Sequence, residues 1–414
     1  MSQEHWKRLD IVRRLETGTI TVGEAALMLG LSTRQAQRLW KAYAATGPAA
    51  LVHGNTGRAP WNRSAGKVHA SVLSLYRGKY AGFNDQQFTE MLVENEALAV
   101  SRPTVQRWLR EAKLGPAKKR RPPRHRRRRD RKPQAGLMIQ WDGSRHDWLE
   151  GRGPMMCLLG AIDDATSELL PGAHFVEQES AAAYLHTMLA IARTKGLPCS
   201  AYGDQHGALR RNDDHWTLEE EIRGEQDPTQ VGRAMKALGV ELIFALSPQA
   251  KGRVERLWGT LQDRLTSQLR LCGTRTMADA NSVLERFRAK HNRRFAVAPA
   301  DAAAAWRRVP KTLDLDRACS FSYVATVLND NTVRLNGHVI DIPPGPGGRS
   351  YARARVDVRQ LLDGSWRIYT QDDQLIATAP ATELGELRAR PQRKRSASSR
   401  AFRKGIEQIA TSLP

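Results

Sequence analysis

Apolar positions in the first 115 residues recur at helical spacing and fall into two similar blocks. In TITVGEAALMLGLSTRQAQRLWKAYAATG, Ala25, Ala26 and Leu29 share a helix face that Gly30 ends. Ser32 then stands where a cap belongs, ahead of a second helix that turns Ala36, Leu39, Trp40 and Tyr43 inward. Helix, glycine turn and capped helix make a helix-turn-helix, whose outer face offers Thr33, Arg34, Gln37, Arg38 and Lys41 to phosphates and base edges. The pattern recurs further on. Phe88, Met91 and Leu92 lie on one helix, a break follows over 96–100, and SRPTVQRWLREAKLG begins with Ser101 as a cap. Pro103 sits early, where its missing N–H does no harm, and Val105, Trp108 and Leu109 point inward. Arg102, Thr104, Gln106, Arg107 and Arg110 face out. The reading is a helix-turn-helix over 1–60 and a second over 61–116; two units cover more of a long DNA site than one.

Periodicity is absent from 117–134, a Pro/Arg-rich linker. Beyond it the pattern shifts to strands. LMIQWD, MMCLLGAIDD and ELLPGAHFV read as three, the last broken by Pro171 and Gly172. ESAAAYLHTMLAIARTKG reads as a helix, PCSAYGD as a short strand, 229–238 as a helix and VELIFALS as a strand. The basic amphipathic helix SPQAKGRVERLWGTLQDRL follows, and helical character extends to about Arg308. Strands and helices interleaved in this way predict a mixed α/β core over 135–310. From 311 to 382 short alternating segments separated by Asn, Gly and Asp turns predict a small β-barrel, with a basic disordered tail from 383 to 414. The expected fold class is therefore multidomain α/β, with all-α units first and a small barrel last.

Charge sharpens this picture. Of a net +22, the segment KKRRPPRHRRRRDRK carries +10 and RARPQRKRSASSRAFRK carries +8, so the rest of the chain is near neutral. Two dense basic arms suit a polyanion that releases counterions on binding, which points to nucleic acid, and with the helix-turn-helix units to double-stranded DNA; a solubilising linker or general adhesion to RNA is the plainer alternative. The 4 cysteines form no CxxC, so neither a zinc site nor a disulfide framework is indicated. No apolar run approaches the ~20 residues of a membrane span, and MSQEHWKRLD lacks the apolar core of a secretory signal. These features lead us to expect a reduced, intracellular protein that is not associated with membrane.

Candidate chemistry lies at the ends of the core strands. Asp142 follows one apolar strand, Asp204 follows another in YGDQHG, and Glu255 opens the helix after a third. On that helix Val254, Leu257, Trp258, Leu261 and Leu265 form the inward stripe, with Glu255 beside it. Three carboxylates converging in a basic protein need a cation between them, or one must stay protonated, and a hard divalent ion, Mg²⁺ or Mn²⁺, is the usual answer for such oxygens. Two ions ~3.5–4 Å apart activate an attacking oxygen and stabilise the leaving one. Lys251 is placed to reach a phosphate nearby, and Arg253 faces DNA or solvent. Asp163 and Asp164 read as turn residues, Trp141 and Trp148 as core.

These motifs together resemble a DDE-type bacterial insertion-sequence transposase with a retroviral-integrase-like catalytic core, most similar to the ISNCY-like group. IQWDGSRHDWLEGRGP, LLGAIDDATSELL, YGDQHG and LIFALSPQAKGRVERLWGTLQDRL carry the resemblance, which covers most of the chain. It implies an RNase H-like core and Asp142, Asp204 and Glu255 as the catalytic, metal-binding triad. It also implies binding of terminal inverted repeats, metal-dependent strand cleavage and transfer to target DNA, a homo-oligomer that holds two element ends, and a place in the bacterial cytoplasm, associated with the nucleoid. The polar stretch 206–228 reads as an inserted loop, with Asp213, Asp214 and Glu219 to Glu221 as competing acids. A non-catalytic DNA-binding regulator derived from a transposase, or a plain RNase H-like nuclease, are the competing functions.

Overall fold

The computed structural model describes residues 3–52, 55, 66–116, 129–211, 216–245, 252–335 and 337–387. The linker read over 117–134 and the basic tail therefore fall mostly outside the described residues. The chain divides into two compact units, Met1–Val72 and Leu73–Pro414.

The first unit holds α1 (Gln3–Glu16), α2 (Val22–Leu29) and α3 (Thr33–Thr46). Thr21 with Glu24, and Ser32 with Gln35, build reciprocal capping boxes that set where α2 and α3 begin. Gly30 ends α2 at φ 63°, a left-handed conformation that glycine adopts without strain. Leu9, Val12, Tyr43 and Leu51 form one small core, and Ile11, Leu15 and Ala25 another, with Trp40 packing on both.

α4 (Gly66–Gly78) spans the division, and α5 (Asp85–Glu96) and α6 (Arg102–Glu111) follow. Tyr76, Tyr80, Phe83 and Phe88 interlock edge to face or tilted, at ring separations of 5.0–5.6 Å. Asn84 caps α5, and Ala97 ends it in the left-handed region. Ser101 precedes α6 as expected, but its hydroxyl meets Thr104 Oγ1 at 3.0 Å and does not cap the backbone.

The centre of the second unit is one five-stranded sheet. Its strands are β1 (Met138–His146), β2 (Met156–Asp163), β3 (His174–Val176), β4 (Ser200–Gly203) and β5 (Glu241–Phe244), in the order β3-β2-β1-β4-β5. The first three are antiparallel neighbours, while β4 and β5 run parallel to β1. This mixed order agrees with the RNase H-like core implied by the motifs. Helices cover both faces. α7 (Ala181–Thr194) and α9 (Gln230–Ala237) pack on one, burying Ile139, Trp141, Leu159, Ala161 and Ala201. α10 (Gly252–Leu271) and α11 (Met277–Phe295) pack on the other, over Met156, Leu158, Ile162 and Phe175. Burial on both faces accounts for the unbroken apolar run of β2.

Two readings of the core need correction. β1 does not stop at Asp142 but runs to His146, because β2 pairs with it antiparallel along its whole length. Helix also does not reach Arg308: α11 ends at Phe295, and Val297 N donates to Thr166 O at 2.8 Å. Pro299 disfavours helical backbone in the residue before it, so the chain continues extended.

After α12 (Leu315–Ala318) come β6 (Phe321–Thr326), β7 (Thr332–Leu335), β8 (His338–Asp341), β9 (Arg355–Gln360), β10 (Trp366–Tyr369) and β11 (Leu375–Ala379). Among the described residues they form a four-stranded sheet, β11-β10-β9-β6, and a separate β7-β8 ribbon. The expected barrel does not close: the ribbon pairs only with itself and meets the sheet through side chains, Val333 and Ile340 packing with Val358, Trp366 and Ile368. Gln230 of α9 exchanges hydrogen bonds with the Ser322 backbone at 3.0 and 2.9 Å, which ties this β region to the core. Among the described residues no helix is long and apolar enough to cross a membrane.

Candidate active site

The register of the sheet aligns the strands that lead to two of the candidate carboxylates. β1 and β4 pair at Met138 with Ser200, Ile139 with Ala201 and Gln140 with Tyr202. Asp142, within β1, and Asp204, the residue after β4, each lie two residues beyond the last pair, and neighbouring strands of a sheet run about 4.8 Å apart. Strand alternation sends Ile139 and Trp141 into the α7 face, so Gln140 and Asp142 turn towards α10. There Val254 N donates to Gln140 Oε1 at 3.4 Å, and Trp258 Nε1 donates to Asp142 Oδ2 at 3.1 Å. Gly160, opposite Asp142 on β2, is closely surrounded: a Cβ there would lie 3.2 Å from Ala173 Cβ and 3.4 Å from the indole.

α10 has the expected buried stripe of Val254, Leu257, Trp258, Leu261 and Leu265. Glu255 is exposed, one turn before the tryptophan that holds Asp142, so the Asp142 contact fixes the rotation at which α10 presents its first turn. Lys251 lies outside the described residues. Among the described residues no group of three or more His, Cys, Asp or Glu side chains stands ready to hold a metal ion. Asp142 lies in β1 and Asp204 directly after the neighbouring β4, while Glu255 stands on α10 one turn before Trp258. The donors are hard carboxylate oxygens, which fits Mg²⁺ or Mn²⁺ and not a thiophilic ion.

A fourth carboxylate, missed in the sequence, lies against this pair. Glu179 directly precedes Ser180, the cap of α7, and accepts a hydrogen bond from the hydroxyl of the fully buried Tyr184. Its Oε1 is 3.5 Å from His206 Nδ1. Burial raises its pKa, and the charges of Asp142 and Asp204 add to that rise against the opposing pull of Tyr184 and His206. Tyr184 is pushed well above the usual phenol value, by burial first and by Glu179 next. A local signal for Glu179 exists only in hindsight: it sits just ahead of a helix cap, a place where many residues stand with no chemistry.

Several other predicted residues have structural partners. Arg253 is turned inward: its Nε donates to Asp164 Oδ1 at 2.7 Å, and its side chain is only 10% exposed. Asp164, fully buried, is no simple turn residue, for it also accepts from Arg129, from Gln140 Nε2 at 2.7 Å and from the Lys132 backbone at 2.8 Å. Asp163 does serve the turn, accepting from the Ala165 and Thr166 backbone at 3.0 and 2.9 Å. Within 206–228 the structure contains α8 (Leu218–Arg223), organised round Glu220. Backbone donors at Thr217 and Asp227 lower its pKa to about 2, and Arg211 pairs with it. Asp213 and Asp214 lie outside the described residues.

On the helix-turn-helix units, Arg34, Gln37, Arg38 and Lys41 are exposed along α3, and Arg102, Gln106 and Arg107 along α6. Thr104 is half-buried. Arg110 is engaged with the buried Asp85 at 2.7 Å and with Leu114 O at 3.0 Å.

Known proteins resemble the chain in both parts. Residues 8–67 match the family described as winged helix-turn helix. The protein y4bF of Sinorhizobium fredii, a transposase by name, is 39% identical over 300 residues, covering 72% of this chain and 64% of its own. The transposase for insertion sequence IS1202 of Streptococcus pneumoniae is 31% identical over 325 residues, covering 70% of this chain and 68% of its own. The chain thus spans about two thirds of the length of these curated relatives. Solved structures matched include the HTLV-2 integrase catalytic core domain, at 15% identity and a TM-score of 0.25 over 36% of this chain and 85% of that one. A chain of the simian T-cell lymphotropic virus intasome matches at 12% identity and a TM-score of 0.30, over 75% of this chain and all of that one.

Proposed function

The chain belongs to the transposases of insertion sequences, and on that premise we propose that it binds the terminal inverted repeats of its element, cleaves the DNA strands there and joins them to target DNA. The observation that carries this reading is that Asp142 and Asp204 each follow by two residues the last register pair of the adjacent parallel strands β1 and β4, with Trp258 of α10 bound to Asp142 one turn from Glu255. The triad is Asp142, Asp204 and Glu255, and these would hold Mg²⁺ or Mn²⁺, two ions in all. When bound, such ions lower the pKa of an attacking water or 3′-hydroxyl and neutralise charge on the scissile phosphate.

The remaining work belongs to the residues. Phosphoryl transfer asks a protein for positioning and electrostatics rather than covalent chemistry. Trp258 fixes the Asp142 carboxylate, and the α10 stripe keeps Glu255 on the same side of the sheet. The Asp164 cluster of Arg129, Arg253 and Gln140 fastens the end of the basic linker to the start of α10. DNA traced by the linker is thereby delivered beside the carboxylates. α3 and α6 supply the exposed cations for the element ends, and two ends joined at once require a homo-oligomer. The proposed domain plan is 1–60 and 61–116 for end recognition, 117–134 as linker, 135–310 as catalytic core, 311–382 as accessory β region and 383–414 as basic tail.

The test is joining of a labelled element-end duplex to a plasmid with Mg²⁺ or Mn²⁺, comparing wild type with Glu255→Gln at matched DNA binding. Joining by wild type alone is the expected result. Joining by both removes Glu255 from the triad. Cutting without joining by the wild type identifies a nuclease, and binding alone by both, with verified ends, identifies a regulator.

A further inference from the structure

Glu179 occupies a position that the proposed triad does not explain. A Cβ on Gly143 would stand 2.3 Å from Glu179 Oε2 and 2.8 Å from its Cδ, so the carboxylate fills the space that a side chain after Asp142 would need. Glu179 therefore lies directly against the backbone of the residue that follows the first aspartate. Its other contacts run to the second aspartate. His206 Nδ1 is 3.5 Å from Oε1, and the His206 backbone N–H donates to Asp204 Oδ1 at 3.0 Å. The Glu179 side chain is 18% exposed, and Tyr184, whose hydroxyl it accepts, is fully buried.

The clamp has a local cause. Ser180 caps α7, so Glu179 is the residue before the cap and Tyr184 the fourth residue of the helix. Those two positions meet at the start of a helix, where apolar pairs commonly staple the entering chain. Here the staple is a polar pair. It fixes a carboxyl group, through the hydroxyl of a fully buried tyrosine, beside the charges of Asp142 and Asp204.

We propose that Glu179 is a positioning residue of the metal site: fixed by Tyr184 and seated over Gly143, it sets the Asp204–His206 turn against Asp142. This inference rests on the metal-site reading above. Residues that orient ligands change metal affinity by about 10–100-fold when they are lost.

The experiment is Mn²⁺ titration of the full chain without DNA, read by electron paramagnetic resonance, with the melting temperature of the metal-free protein measured in parallel. Wild type, Glu179→Gln, Tyr184→Phe and Asp142→Asn are compared. We expect Glu179→Gln to weaken Mn²⁺ binding about tenfold or more, while the metal-free protein melts no lower than wild type, because one repelling charge is gone. Tyr184→Phe weakens Mn²⁺ in the same direction by a smaller factor. Unchanged affinity in Glu179→Gln, with binding lost in Asp142→Asn, overturns the proposal and leaves the metal site standing. A lower melting temperature with unchanged affinity assigns Glu179 a purely structural role and also overturns it. Unchanged affinity in Asp142→Asn overturns the metal-site reading itself. Should Glu179→Gln fail to fold, Tyr184→Phe decides, since it removes one oxygen and no charge.

Discussion

Glu90 of α5 and Arg264 of α10 form a buried ion pair, each side chain 7% exposed, and removing either partner should have very different consequences. Glu90 has further partners: Arg294 of α11, itself 39% exposed, and Gln86 Nε2 at 3.0 Å. Arg264 pairs with no other carboxylate among the described contacts, and its guanidinium stacks 5.1 Å from the Phe295 ring. In Glu90→Leu the Arg264 cation is left buried without its anion, which costs about 3–5 kcal/mol. In Arg264→Met the carboxylate keeps Arg294 and Gln86 while the methionine fills the stem's volume, so the loss is about 1–2 kcal/mol. The double variant Glu90→Leu/Arg264→Met removes both buried charges and should fall within about 1 kcal/mol of wild type. Urea unfolding, followed by tryptophan fluorescence, gives all three values from midpoints at constant slope. Equal losses in the two single variants, or a double variant as unstable as the sum of the singles, would refute the reasoning. This pair joins the second helix-turn-helix unit to α10, so the same variants also report how firmly α5 is docked on the core.

Acid should act through His291, which is 4% exposed and whose pKa burial, and then the charge of Arg264, lower from 6.5 to about 4. Its folded value lies below its unfolded one, so its contribution is present above pH 6.5 and is lost as pH falls towards 4. Wild type should lose about 3 kcal/mol over that window relative to His291→Phe, and parallel urea midpoints in the two proteins would exclude it. Gly196 has φ 103°, and a Cβ there would lie 2.5 Å from Arg307 O. Gly196→Ala should therefore cost more than about 1 kcal/mol in the same urea assay, since the obstacle is backbone. Arg34→Ala and Arg38→Ala should each weaken binding to element-end DNA and flatten the dependence of log K on log salt by about 1. An unchanged slope in filter binding would take α3 off the phosphates. Chelation of divalent ions should abolish strand joining and leave DNA retention in a gel shift intact.

The helical elements of the N-terminal units were legible because their information is local. Capping boxes at Thr21 and Ser32, a left-handed glycine at 30 and apolar residues at helical spacing sit within a few residues of what they determine. The alternation of strands and helices in the core was legible for the same reason, and so were the Glu255 stripe and the apolar strands before Asp142 and Asp204. What lay beyond the sequence depended on partners far along the chain. Arg253 reads as a surface cation until Asp164, 89 residues away, is folded against it. β1 continues past Asp142 because β2 pairs with it, and the C-terminal strands leave their barrel open because, among the described residues, the β7-β8 ribbon does not pair with the four-stranded sheet. Glu179 is the clearest case. Its position before a helix cap is local, but its neighbours Gly143, Tyr184 and His206 come from a strand, a helix and a loop. Periodicity and capping act over one or two turns of chain. Which carboxylate faces which is set by strand register and helix rotation, and those exist only once the sheet has formed.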